Sequence, residues 1–269
     1  MCNNCGNERP STLELRTLEP PNLRTLNLLL LLENKSYSWR WRLAQFLELR
    51  WWRRYLRRLD WDAYLEDKRR HWRKVLRQLE LRLAPGERAL DAGCGPAGIF
   101  TILSEQKVDA LDPLLEEYEK KLPGFQRDQF PYVHFQQLML EQLEVKETYD
   151  LIFCMNAINH VADLDLALGR LVQALKPNGT LVLSVDAHRH SFFKFIFRLI
   201  PGDVLHPQQD DVADYQRFLG EKGLQVEKIL VLKKGWVFNY VVFKAKNRSE
   251  ERRVGKECAT LFSGLIFLP

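Results

Sequence analysis

Arg88-Ala89-Leu90-Asp91-Ala92-Gly93-Cys94-Gly95-Pro96-Ala97-Gly98-Ile99-Phe100 is the stretch whose reading decides the fold. A short apolar run ends in Asp91. A glycine loop, Gly93 to Gly98, follows, and helix-forming sequence comes next. Strand, tight turn and helix together let backbone approach a nucleotide-like ligand closely. A G-x-G-x-x-G loop also arises by chance and marks dinucleotide sites, so its weight comes from its surroundings.

Downstream by about twenty residues, Asp109-Ala110-Leu111-Asp112-Pro113 reads as a second strand ending in a carboxylate, the place from which ribose hydroxyls are held. Nicotinamide enzymes use the same device. Pro113 suits a first helical position, so Asp112 also reads as a helix N-cap. Asp91 is more discriminating, because a nicotinamide fingerprint usually has an apolar residue there. Tyr149 to Asn156 reads as a buried fourth strand. Leu175 to Val185 reads as a helix end, a Lys-Pro-Asn-Gly turn and a fifth strand. Asp214 to Gly223 reads as the last helix, with Gln225 to Leu232 and Val237 to Lys244 as the closing pair of strands.

These ordered motifs resemble the class I S-adenosylmethionine-dependent methyltransferase family over Pro85 to Lys246. The resemblance implies an α/β fold, a doubly wound Rossmann-like sheet that is mostly parallel with an antiparallel last strand. It implies S-adenosyl-L-methionine as cofactor. Gly93, Gly95 and Gly98 would admit its methionine part, Asp91 would anchor the ammonium group, and Asp112 would hold the ribose. After the third strand (Val133 to Phe135) the family often has an acidic residue for the adenine amino group. Met139 stands at that place, which leaves backbone contact at Leu140. Asn156, at the end of the fourth strand, completes the expected cofactor set.

Methyl transfer is an in-line displacement in which the protein mainly positions the acceptor and excludes water, with a base for a hydroxyl acceptor. Histidine titrates near neutral pH. His160 follows the fourth strand, His188 and His190 follow the fifth, and His206 comes next, so these four are the candidate bases. Asp186 is a candidate to orient one of them. A small-molecule acceptor is expected. The Asn-Pro-Pro-Tyr type motif for methylating base amino groups is absent, with Asn156-Ala157-Ile158-Asn159 in its place, so nucleic acid is not the expected partner. The apolar run Ser191 to Ile200 suggests a pocket for a lipid or quinone-like acceptor. No metal is expected, because Cys2 and Cys5 form a lone C-x-x-C pair. Two alternatives stand beside this reading: a non-catalytic methyltransferase-like binding module and an NAD-dependent oxidoreductase.

The chain of 269 residues, 46% hydrophobic, is long enough for one sizeable core and an extra element. It has no apolar run of the ~20 residues a membrane span needs. Five cysteines make no disulfide framework, and a reducing, cytoplasmic location fits. Residues 1–35 read as a leader outside the fold. Arg248 to Cys258 looks like the translation of a sequencing adapter, which sets residues 248–269 apart as an artefact tail. Residues 83–247 then form the cofactor-binding domain and residues 36–82 a helical cap. Tyr37 to Arg82 carries fourteen Lys+Arg against six Asp+Glu (net +8), whereas Leu83 to Asn247 carries eighteen against twenty-two (net −4). Six of the seven tryptophans lie between Trp39 and Trp72. Their spacing predicts two amphipathic helices with a break near Asp60, which would cap the second. Such helices suit packing on the sheet, a lid over the acceptor, or peripheral membrane contact through residues 36–82.

Overall fold

Strands covered on both faces read as unbroken apolar runs. β1 (Arg88–Ala92) and β2 (Lys107–Leu111) each bury every residue after the first, and β4 (Tyr149–Met155) buries all but one. The computed structural model describes residues 39–188, 212–234 and 238–248. With β3 (Val133–Gln136), β5 (Leu175–His188), β6 (Leu224–Lys234) and β7 (Phe238–Asn247), these strands form one seven-stranded sheet of order β3-β2-β1-β4-β5-β7-β6. β1 pairs in parallel with β2 and β4, β2 with β3, and β4 with β5. β7 runs antiparallel to both β5 and β6. This is the expected doubly wound, mostly parallel sheet. Strand order reverses between β1 and β4, so a crevice opens beyond their carboxyl ends.

Alternation along the strands feeds two cores. Ala89, Phe153 and Val182 face helices α1 (Trp39–Leu56), α2 (Trp61–Gln78) and α3 (Leu115–Lys121). Leu90, Ile152 and Leu183 face α4 (Leu164–Ala174) and α5 (Val212–Glu221). The break between α1 and α2 falls where expected: the Asp60 carboxylate accepts from the Ala63 amide at 2.8 Å and caps α2. Along α2 the stripe Tyr64, Leu65, Trp72, Val75 and Leu76 is buried, while Arg69 and Arg73 pair with Glu66 on the solvent side.

Three expectations need correction. The sequence after the glycine loop forms only a 3-10 turn, Ile99–Ile102, because β2 begins at Lys107 and leaves no length for an α-helix. α4 ends at Ala174, and the Lys-Pro-Asn-Gly segment belongs to the start of β5. There the register with β4 jumps from Tyr149↔Leu175 to Leu151↔Thr180, and Asn178 takes φ 59. The last helix begins at Val212 rather than Asp214. The leader, the Ser191 to Ile200 run and the tail beyond Arg248 lie outside the described residues. Among the described residues no helix is long and apolar enough to cross a membrane.

Candidate active site

A cavity of about 600 Å³ opens at the carboxyl ends of the central strands, within the ~300–1,000 Å³ usual for small-molecule sites. Asp91, Gly93, Gly95, Gly98, Asp112, Leu140 and Asn156 all line it.

Asp91 is buried at the end of β1. Its Oδ2 accepts from the Phe100 amide at 2.9 Å, while its Oδ1 has no partner. Burial, opposed by the Phe100 and Ile99 amides and reinforced by the Asp112 charge, pushes this carboxyl up to about 7. Gly93 takes φ +72, and a Cβ there would collide with the Ala157 methyl. A Cβ on Gly98 would strike the Asp91 carboxylate and the Cys94 carbonyl. The loop is thus as close to the carboxylate as glycine allows.

Asp112 stitches the loop to the end of β2. Its Oδ2 accepts from the Gly95 amide at 3.0 Å and its Oδ1 from the Leu114 amide at 2.8 Å. It is not the N-cap of α3, which Leu114 occupies without a side-chain bond. Burial pushes Asp112 up to about 6, against the pull of those two amides.

The stretch after β3 holds a carboxylate two places beyond Met139. Glu141 accepts from the amides of Ala162 (2.7 Å) and Asp163 (3.3 Å), so its charge anchors the loop before α4. Asn156 adopts φ 57, and its amide donates to Ser184 Oγ at 2.7 Å. Ser184 in turn bonds Tyr240 at 2.9 Å. Of the four candidate bases, His160 lines the cavity at the end of the 3-10 turn Ile158–His160. His188 is the last residue of β5, and Asp186 lies two residues before it. His190 and His206 lie outside the described residues.

The cap supplies residues that motif reading missed. Gln45, Glu48, Trp51 and Trp52 of α1, with Lys68, His71 and Trp72 of α2, line the same cavity. Trp72 Nε1 donates to the Ala97 carbonyl at 3.1 Å, and the Trp52 ring lies over Gly95, so two indoles cover the glycine loop. Lys68 Nζ sits 5.6 Å from the Tyr64 ring centre and 5.8 Å from that of Trp72. Burial lowers its pKa; burial and the neighbouring Lys68 and Lys74 lower that of His71. Helical phase was the available signal: Gln45, Glu48 and Trp52 share one face of α1, and Lys68 and Trp72 share one of α2.

The glycine loop, the two strand-end carboxylates and the sheet order define the class. A methyltransferase domain model matches residues 64–227, more than half of the chain, which therefore belongs to that family of class I, S-adenosylmethionine-dependent enzymes. The chain is 30% identical over 160 residues to a ubiquinone biosynthesis O-methyltransferase of Rickettsia typhi, covering 56% of this chain and 63% of that one. It is 32% identical over 133 residues to the protein of the same name from Rickettsia felis, covering 48% and 53%. The chain thus spans less than two thirds of the length of these curated relatives. Two solved structures share the fold. A putative methyltransferase of Bacillus halodurans has a TM-score of 0.52 at 16% identity, covering 65% of this chain and 97% of that one. The YcgJ protein of Bacillus subtilis has a TM-score of 0.53 at 16% identity, covering 66% and 97%.

Proposed function

We propose that this chain transfers a methyl group from S-adenosylmethionine to a hydroxyl of a small, largely apolar acceptor. The observation that carries the reading is Asp91 Oδ1, a buried carboxylate oxygen without a partner beside a loop that only glycine permits. An unmatched buried acceptor is costly unless a ligand donor meets it. The cofactor's ammonium group fits that place. The cofactor supplies a methyl already activated on a sulfonium sulfur. Asp112 accepts from the ribose, and the Leu140 backbone meets the adenine edge. Lys68, in no salt bridge among the described residues, offers a counter-charge to a carboxylate. Trp52 and Trp72 give an apolar wall that excludes water from the reacting atoms. His160 is placed to take the proton of the acceptor hydroxyl. The relatives' name supports a phenolic acceptor akin to a ubiquinone precursor. Family membership sets the nicotinamide alternative aside, and a non-catalytic module becomes an outcome of the test.

S-adenosylhomocysteine at a hundredfold its dissociation constant is expected to raise stability by about 2.7 kcal/mol. Asp112→Ala should lose that shift. His160→Ala should keep it while losing turnover on a prenylated catechol. A folded wild-type protein with no shift overturns the cofactor reading. A shift without turnover on any hydroxyl acceptor favours the non-catalytic module.

A second reading concerns the outer side of α1. Phe46, Trp51 and Tyr55 are 59%, 54% and 44% exposed. Arg50, Arg53, Arg54, Arg57 and Arg58 are exposed around them. Arginine interleaved with aromatic rings suits the surface of an anionic bilayer. Binding to phosphatidylglycerol vesicles is expected, falling as the Debye length shrinks from ~10 Å at 0.1 M salt to ~3 Å at 1 M. Equal binding to neutral and anionic vesicles sinks this reading.

A further inference from the structure

α1 turns one face into the cavity, and that face is rich in acceptors. Gln45 and Glu48 stand three residues apart, so their side chains are neighbours on the helix. Gln45 is 9% exposed, and its Oε1 has no partner. Glu48 Oε1 accepts from the Tyr118 hydroxyl at 3.5 Å, and Trp52 donates to the same carboxylate. Tyr118 is fully buried on α3, the helix that follows Asp112. The cap therefore delivers a carboxyl to the carboxyl at the end of β2, and each lines the same cavity. No cation is paired with either among the described residues. Two carboxyls that share a desolvated place disfavour each other's charge. A packing role is served as well by glutamine or leucine, so the arrangement points to donors arriving from outside the protein. A ribose brings two adjacent hydroxyl donors and no charge. Each can meet one carboxylate.

We propose that Glu48 is a second ligand for the ribose of the nucleoside cofactor, opposite Asp112, with Gln45 Oε1 as a further acceptor beside it. The cap helix then closes on the cofactor itself, not on the acceptor alone. This inference rests on the methyltransferase reading above.

The test compares S-adenosylhomocysteine with its 2′,3′-dideoxy analogue, by calorimetry on the whole chain. The wild type should prefer the diol. In Glu48→Gln that preference should fall by about tenfold, or about 1.4 kcal/mol. The ratio is taken within one protein, so a general weakening of the fold leaves it unchanged. A preference equal to that of the wild type overturns the proposal.

A second measurement is the proton release that accompanies binding. Burial and the Asp112 charge push Glu48 up to about 7. Ribose donors favour its ionised form, so diol binding at pH 7 should release more protons than dideoxy binding. The other titratable groups of this region are Asp112, Asp91, Tyr118, Cys94, Lys68, His71, Glu141, His160 and Tyr240; subtracting the dideoxy ligand removes what the remainder of the cofactor does to them, and repeating the pair in Glu48→Gln removes what the diol does to Asp112. Equal release by the two ligands overturns the proposal. A wild type that binds neither ligand overturns the cofactor reading and this inference with it. Binding of the diol with an unchanged ratio in Glu48→Gln overturns this inference alone.

Discussion

Gly93→Ala is expected to abolish binding of S-adenosylhomocysteine and to lower stability by about 2–5 kcal/mol. Two independent penalties add. Gly93 sits at φ +72, where a side chain costs ~1–2 kcal/mol. The new methyl would also occupy the place of the Ala157 methyl, and such overpacking costs ~1–3 kcal/mol. Ala157→Gly in the same chain removes the collision and leaves the backbone strain, so the double variant should recover about half of the loss. Thermal melts of the two single variants and the double variant check this. A Gly93→Ala protein within ~0.5 kcal/mol of wild type, the range of ordinary surface substitutions, would contradict the loop geometry.

The protein without ligand should be less stable at pH 8 than at pH 5.5, and S-adenosylhomocysteine should stabilise it more at pH 8. Asp91 and Glu48 are each pushed up to about 7, and Asp112 to about 6, in each case first by burial. Carboxyls raised in the folded state bind more protons there than in the unfolded chain. Their contribution is complete below the unfolded values near 4 and is lost as pH rises through about 6 to 7. At Asp91, which is almost fully buried, this amounts to several kcal/mol. Asp150, Glu80, Glu117 and Glu119 are held below the usual carboxylate range by lysine or arginine partners, although burial opposes this most at Asp150. Their contribution is lost only at lower pH, beneath the window that matters here. A ligand ammonium beside Asp91 favours its ionised form, which reverses the trend on binding. Melts across pH 5 to 8, with and without saturating ligand, report both slopes. A flat profile without ligand, or a ligand shift that shrinks as pH rises, would contradict the account.

Much of this was legible in sequence because local chemistry fixes it. Asp91, the glycines and Asp112 lie at the ends of two adjacent parallel strands, which the register of β1 and β2 brings together. Asp60 announced its cap, and the tryptophan spacing announced two helices. The 3-10 turn at Ile99–Ile102 was hidden because helix propensity reports what a segment prefers, and here the short distance to Lys107 decides. Glu48 gave no sign of its position. Only the docking of α1 across α3 brings it to Asp112, and that depends on side-chain packing among Leu49, Leu56 and Tyr118. Glu141 shows the reverse: a carboxylate in the expected neighbourhood that backbone amides occupy instead.

β7 is the last of the seven strands in sequence and lies inside the sheet, exchanging nine residue pairs with β5 on one side and pairing with β6 on the other. During synthesis, β5 therefore leaves the ribosome with one edge open. Residues 238–247 must follow before that edge is closed, and β6 emerges earlier with nothing to join. Through that interval the nascent chain displays unpaired amides and carbonyls beside Leu181, Leu183 and Val185, a template for pairing with another chain. A chaperone that shields this edge has its work between the emergence of β5 and that of β7. Synonymous codon changes that slow translation across residues 189–237 lengthen the exposure without altering the finished protein.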